Sequence, residues 1–200
     1  ADKEITSATV ETVSMEGIEP DQGLRELPAV KSAQEKTVSF IQDNVLGHAS
    51  ADFQPVDEIK GIPSGRIEDT AVIDLIGTVQ LENSGADVSA AALFKDTSDL
   101  PEGDINYGNI FDIYKFDNTL YRVKVTGAEL KAYMEWSAEC YNQWQEGDIN
   151  LSFDPEYPDY LYDMFAGVDY EIDLSQPKGQ RIQNVMFHGA PLQDDQDRKS

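Results

Sequence analysis

Gly103-Asp104-Ile105-Asn106-Tyr107-Gly108-Asn109-Ile110-Phe111-Asp112-Ile113-Tyr114-Lys115-Phe116-Asp117-Asn118-Thr119-Leu120 is the stretch on which the reading of this chain turns. Residues 103–107 hold glycine, Asp and Asn and predict a turn; Ile110 to Tyr114 predict a short helix. Beyond them Leu120-Tyr121-Arg122-Val123-Lys124-Val125 alternates apolar and polar residues with the period of a strand. Tyr114 to Leu120 is then a helix-to-strand turn in which aromatic rings stand beside Asp, Asn and Thr. Such a turn offers a flat face for a nucleobase and short polar groups to read its edge. Asp-Asn-Thr is also ordinary turn chemistry, and Phe116 could equally be a core residue.

Downstream, Gly127 leads into a helix predicted over 128–143, and strands are predicted at 170–174 and 182–187. Upstream, Ala86 to Lys95 is short, apolar and rich in small residues, as a buried strand running into a turn would be. Before it, Glu68-Asp69-Thr70 can cap a helix over Ala71 to Gln80, with Val72, Ile73, Leu75, Ile76 and Val79 toward the core. The Pro- and Gly-punctuated stretch 53–65 reads as a connector. Val30, Ala33, Thr37, Val38, Ile41 and Val45 recur at helical spacing, which predicts a helix over 28–46 with Pro28 in its first turn and Gly47 as its stop. Residues 4–13 alternate weakly and predict one strand followed by a turn. Helices and strands that do not alternate regularly place the chain in the α+β class.

Composition narrows the partners. Fifteen Lys and Arg against 38 Asp and Glu in 200 residues leave a net charge of −23, which repels polynucleotides and anionic membranes. No apolar run is long enough for a membrane span, and the N-terminus is polar where a signal peptide would be basic and then apolar. Cys140 is the one cysteine, so it forms no internal disulfide; within its helix and with no His nearby it is expected as a packed, inert thiol. His48 and His188 stand alone, and the acidic pairs Asp194-Asp195 and Glu156 with Asp159 read as solvated faces. Nothing here has the ligand spacing of a hydrolytic metal site, so no catalytic residue and no metal ligand is assigned.

Three ordered motifs give the chain a family likeness. Ala86-Asp87-Val88-Ser89-Ala90-Ala91-Ala92-Leu93-Phe94-Lys95, the stretch Gly103 to Leu120, and Val125-Thr126-Gly127-Ala128-Glu129-Leu130-Lys131 together resemble the C-terminal domain of the 5′-nucleotidase family. Ala91-Ala92-Leu93-Phe94-Lys95, Tyr141-Asn142-Gln143 and Gly167-Val168-Asp169-Tyr170-Glu171-Ile172-Asp173 are most similar to its bifunctional 2′,3′-cyclic-nucleotide 2′-phosphodiesterase/3′-nucleotidases. Gly61-Ile62-Pro63 and Asp69-Thr70 resemble the family's interdomain entry, so the likeness covers residues 60–195.

The resemblance implies an α+β domain, a mixed sheet with packed helices preceded by a linker helix. It divides the chain into the remnant of a metallophosphoesterase domain (1–28), a linker helix and connector (29–65), an incomplete nucleotide-binding domain (66–195) and a tail (196–200); from the sequence itself the last seven residues read as disordered. The absent metallophosphoesterase domain would be its partner and would carry two divalent metal ions; the present chain would grip the nucleoside, without catalysis of its own. Phe116 occupies the stacking position of the family's base sandwich, Asn118 is the neighbouring polar contact, and Tyr114, Lys95 and Ser89 complete the implied substrate-binding set. Many 5′-nucleotidases carry an Asn-Gly-Gly-x-x-Arg loop where this chain runs Ser89 to Phe94 without Arg, with Lys95 as a partial stand-in. The family's second aromatic wall belongs to an Asn-Asn-Tyr segment expected beyond Ser200. A secreted, periplasmic or cell-wall phosphoesterase is the implied setting. The alternative is an acidic, non-catalytic interaction module with Phe116 and Tyr114 in its core.

Overall fold

The computed structural model describes residues 7–158, 160–195 and 197–199. The chain divides into two compact units, 1–40 and 41–200. The first holds a short helix α1 (Gln22–Arg25), whose N-cap Asp21 accepts from the Leu24 amide, and most of α2 (Pro28–Asp43), none of whose residues is buried. Residues 7–13 form no strand and are exposed, because a weakly alternating segment gains nothing without a ladder to join; residues 4–6 of the expected strand lie outside the described residues.

In the second unit the strands pair in small antiparallel sheets: β1 (Val45–Ala49) with β3 (Gly103–Asn106), β2 (Ser89–Ala91) with β5 (Met164–Ala166), β4 (Lys124–Thr126) with β9 (Asp197–Lys199), and β6 (Asp169–Ile172) with β7 (Ile182–Phe187), which in turn pairs β8 (Ala190–Pro191). The helices are α3 (Ala71–Ser84), α4 (Tyr107–Ile113) and α5 (Gly127–Ser137). The α+β class is that of the sequence reading.

Three apolar clusters hold this unit together. Val88 on the approach to β2, Leu130 and Met134 of α5, Phe165 of β5 and Ile182 of β7 form one. Val72 and Ile73 of α3 with Leu93, Leu100 and Ile113 form the second, and Cys140, Tyr141 and Tyr162 the third.

Several boundaries differ from expectation, most because a tertiary contact outweighs a local signal. The helix expected to reach Leu46 ends at Asp43, and Gly47 lies inside β1, opposite Ile105. Residues 103–106 are accordingly a strand and not a turn. The strand expected from Leu120 is confined to Lys124–Thr126, where β9 supplies the partner; Leu120, Tyr121 and Val123 remain exposed. That same pairing overturns the expectation of a disordered tail for 197–199, while residues 196 and 200 lie outside the described residues, as does Asp159. The helix expected to reach residue 143 stops at Ser137 and tightens into a 3-10 turn, Ala138–Cys140. The buried Arg181 fixes this stop by donating from Nη1 to the carbonyls of Ala138 and Tyr141, each at 2.8 Å. Helix α3 runs past Gln80 to Ser84 and ends on Gly85 at φ 61°, a left-handed stop suited to glycine. Thr70 occupies its N-cap position, but makes no side-chain cap bond.

Candidate functional site

The aromatic site is assembled by residues that flank buried anchors. Leu93 is 1% exposed and Ile113 4% exposed, both in one apolar cluster. Their chain neighbours Phe94 and Tyr114 meet ring to ring, 5.7 Å between centroids at 75°. Tyr114 owes its place to the way α4 starts and stops. Asn106 accepts from the amides of Gly108 (2.8 Å) and Asn109 (3.3 Å), and Asn109 Oδ1 accepts from the Asn106 amide (2.8 Å), a reciprocal cap that fixes the first turn. At the other end buried Ser98 donates to the Asp112 carbonyl at 3.0 Å. The chain then leaves the helix in extended conformation at Tyr114.

Phe116 follows two residues later. Its ring lies 4.4 Å from that of Phe94, tilted by 41°, and the residue is 46% exposed, so it is not a core residue. Phe94 occupies part of one side of the ring, and the exposed remainder is accessible for stacking. Lys115 Nζ stands 5.3 Å from the Phe116 ring centroid, within cation–π range. Asn118 Nδ2 donates to Tyr114 Oη at 2.9 Å, which closes the turn and leaves the amide oxygen as an acceptor. Lys95 pairs with Asp112 at 2.6 Å, with both side chains about half exposed. Two lysines, Lys95 and Lys115, therefore stand at this edge, the first neutralised by Asp112.

Four of the five positions implied by resemblance, Lys95, Tyr114, Phe116 and Asn118, thus share one neighbourhood around Phe94. Ser89 does not join them. It is buried at 7% exposure in β2, opposite Ala166, and its hydroxyl donates to the Gly77 carbonyl of α3 at 3.3 Å. Phe94 itself was not singled out from the sequence. Its signal was present in the motif Ala91-Ala92-Leu93-Phe94-Lys95, where an aromatic follows the last residue that fits a buried run.

Beside the cluster, α3 and the 118–121 segment bound an apolar groove of about 640 Å³ that includes Leu75, Ile76, Ile110, Tyr114 and Leu120. Val79, expected in the core, lines it and is 49% exposed.

Cys140 and His48 lie outside this cluster. Cys140 is 1% exposed, and burial pushes its thiol up to about 11, against the pull of Arg66 and Arg181. His48 Nδ1 lies 3.1 Å from Asp104 Oδ1 across the β1–β3 pair. Among the described residues no group of three His, Cys, Asp or Glu side chains is placed to hold a metal ion, and no helix is long and apolar enough to cross a membrane.

The chain is 29% identical to a 2′,3′-cyclic-nucleotide 2′-phosphodiesterase/3′-nucleotidase of Yersinia enterocolitica, over 82% of its own length and 32% of the relative's. A protein of the same description from Salmonella typhimurium is 27% identical, again over 82% of this chain and 33% of the relative. The chain therefore spans about a third of the length of these curated relatives. In fold it is similar to a Staphylococcus aureus protein assigned as a 5′-nucleotidase, with a TM-score of 0.74 and 23% identity over 90% of this chain and 34% of that one. Residues 45–197 match the family model described as 5′-nucleotidase, C-terminal domain, and the chain belongs to that family.

Proposed function

We propose that this chain is the nucleoside-recognition part of a phosphoesterase acting on 2′,3′-cyclic nucleotides and nucleoside monophosphates, and that it is not catalytic by itself. The observation that carries the reading is the half-exposed Phe116 ring backed by Phe94, with Lys115 and Asn118 at its margin. A base laid on the open part of that ring buries two aromatic faces at once, and such stacking tolerates any base. The Asn118 amide oxygen would accept from an exocyclic amino group, and Lys95 and Lys115 would favour the anionic phosphate end.

Hydrolysis would reside elsewhere. The described residues offer no metal-binding group, so the two divalent ions implied by family resemblance belong in this reading to a metallophosphoesterase domain that works with this one. A secreted or periplasmic setting is part of the same proposal and rests on resemblance alone.

Calorimetric titration of the 200-residue chain with adenosine and 3′-AMP tests the reading. Saturable binding that weakens about fivefold or more in Phe116→Ala is expected, since one base–aromatic stack is worth about 1–3 kcal/mol. Equal binding by wild type and Phe116→Ala would overturn it, and turnover of a cyclic nucleotide by this chain alone would overturn its non-catalytic part.

A further inference from the structure

The apolar groove beside the aromatic site is unlike the rest of this surface. The chain carries a net charge of −23, yet among the described residues no Asp, Glu, Lys, Arg or His lines the groove. Leu75, Ile76 and Val79 recur at helical spacing and form one face of α3 along it. Ile110 of α4, with Leu120 and Tyr121 beyond the turn, adds to the lining. Val79, Leu120 and Tyr121 are all exposed. Apolar groups left in water and gathered in one concavity favour an apolar ligand, whereas a charged group would lose hydration here without gaining a partner.

The groove and the stacking surface stand on one core. Leu75 and Ile76 pack against the buried cluster that includes Leu93 and Ile113. The chain neighbours of those two anchors, Phe94 and Tyr114, are the ring pair of the aromatic site. The α3 face and the rings are therefore fixed relative to each other by shared packing.

Two residues belong to both places. Tyr114 and Asn118 line the groove, and the bond from Asn118 Nδ2 to Tyr114 Oη, 2.9 Å, joins them. With a base on Phe116 and its exocyclic amino group on the Asn118 amide oxygen, the edge that bears the amino group is the one that meets the groove. A secondary amine keeps one N–H for Asn118 while its substituent continues past that residue onto apolar surface. The phosphate end, favoured by Lys95 and Lys115, is left undisturbed.

We propose that the groove is a subsite for an apolar substituent on the base, and that the preferred ligand is an adenine nucleoside or nucleotide whose 6-amino group carries an alkyl chain. The base lies on Phe116, the remaining N–H meets Asn118, and the chain runs along Val79 and Leu120. This subsite rests on base recognition at Phe116, which by itself requires no substituent.

The test is calorimetric titration of the 200-residue chain with adenosine, N6-butyladenosine and N6-(3-hydroxypropyl)adenosine, whose side chain has nearly the same shape as butyl but ends in a hydroxyl. N6-butyladenosine is expected to bind at least about tenfold tighter than adenosine, the return from burying two or more methylene-sized groups. The hydroxyl-ended ligand should lose most of that gain. Val79→Asp, at a position 49% exposed, should abolish the gain and leave adenosine binding unchanged. If Val79→Asp fails to fold, Leu120→Asp is read in the same way. Saturable adenosine binding with no tighter binding of N6-butyladenosine, an equal gain from the hydroxyl-ended chain, or a gain that survives in the folded aspartate variant would each overturn the subsite and leave base recognition standing. Saturable binding of none of the three ligands would overturn both.

Discussion

The rings of Phe94 and Phe116 lie 4.4 Å apart, centroid to centroid, although 22 positions separate the residues in the chain (116 less 94). Phe94 therefore acts as the back of the stacking surface and Phe116 as its front. Phe94→Ala should lower nucleoside affinity by about two- to tenfold, the worth of an aromatic pair, and less than Phe116→Ala does. Calorimetry on the two variants checks the order; a Phe94→Ala effect exceeding that of Phe116→Ala would reverse the assignment.

Stability of the second unit depends on Glu135, a carboxylate 8% exposed on α5. Its oxygens accept the backbone amides of Arg181 (2.9 Å) and Ile182 (2.8 Å), and so bolt the helix to the start of β7. Glu135→Ala strands both buried donors and should destabilise the chain by about 2–5 kcal/mol, whereas Glu135→Gln, which keeps one acceptor, should lose less. Urea unfolding of the three proteins measures the difference.

The elements that sequence alone placed well are those whose signal is local and strong. Helix α3 with its core residues Val72 and Ile73, the β7 strand, and the body of α5 behind the reciprocal Thr126–Glu129 cap all follow from period and chemistry within a few residues. What sequence misplaced depends on partners far along the chain. Gly47 reads as a helix stop until β3 is there to pair with it, and Leu120 to Val123 read as a strand although no ladder reaches them. The site divides in the same way. Phe116 and Asn118 lie within one turn and were legible from their motif, while the backing by Phe94 requires Leu93 and Ile113 to share a core. Ser89 was implied as a contact residue by the family motif, but its buried place in β2 turned its hydroxyl toward Gly77.

Asp69 gives a pH signature. Its carboxyl lies above the usual carboxylate range, first through burial and then through Asp74, so the folded chain binds this proton more tightly than the unfolded chain. The stability it contributes is fully present below the unfolded value of about 3.9 and is lost as pH rises through the folded one. Asp69→Asn should therefore raise the stability at neutral pH, by less than about 1 kcal/mol given its partial exposure, with a higher thermal midpoint, and the gain should vanish near pH 3. Scanning calorimetry at the two pH values decides the sign.

Cys140 should behave as a core atom. With its thiol raised to about 11 and 1% exposed, it should react with an aromatic disulfide reagent near pH 8 only as fast as the protein unfolds, and at once in urea. Rapid labelling of the native chain would show a far more open α5 end than the one described.

The central claim, that a base stacks on Phe116, is tested most directly by intermolecular NOEs between the adenine protons of bound adenosine and selectively labelled phenylalanine rings. Contacts from the base to Phe116, weaker contacts to Phe94, and their loss in Phe116→Ala are the predicted result. Saturable adenosine binding with NOEs to other rings and none to Phe116 would contradict it.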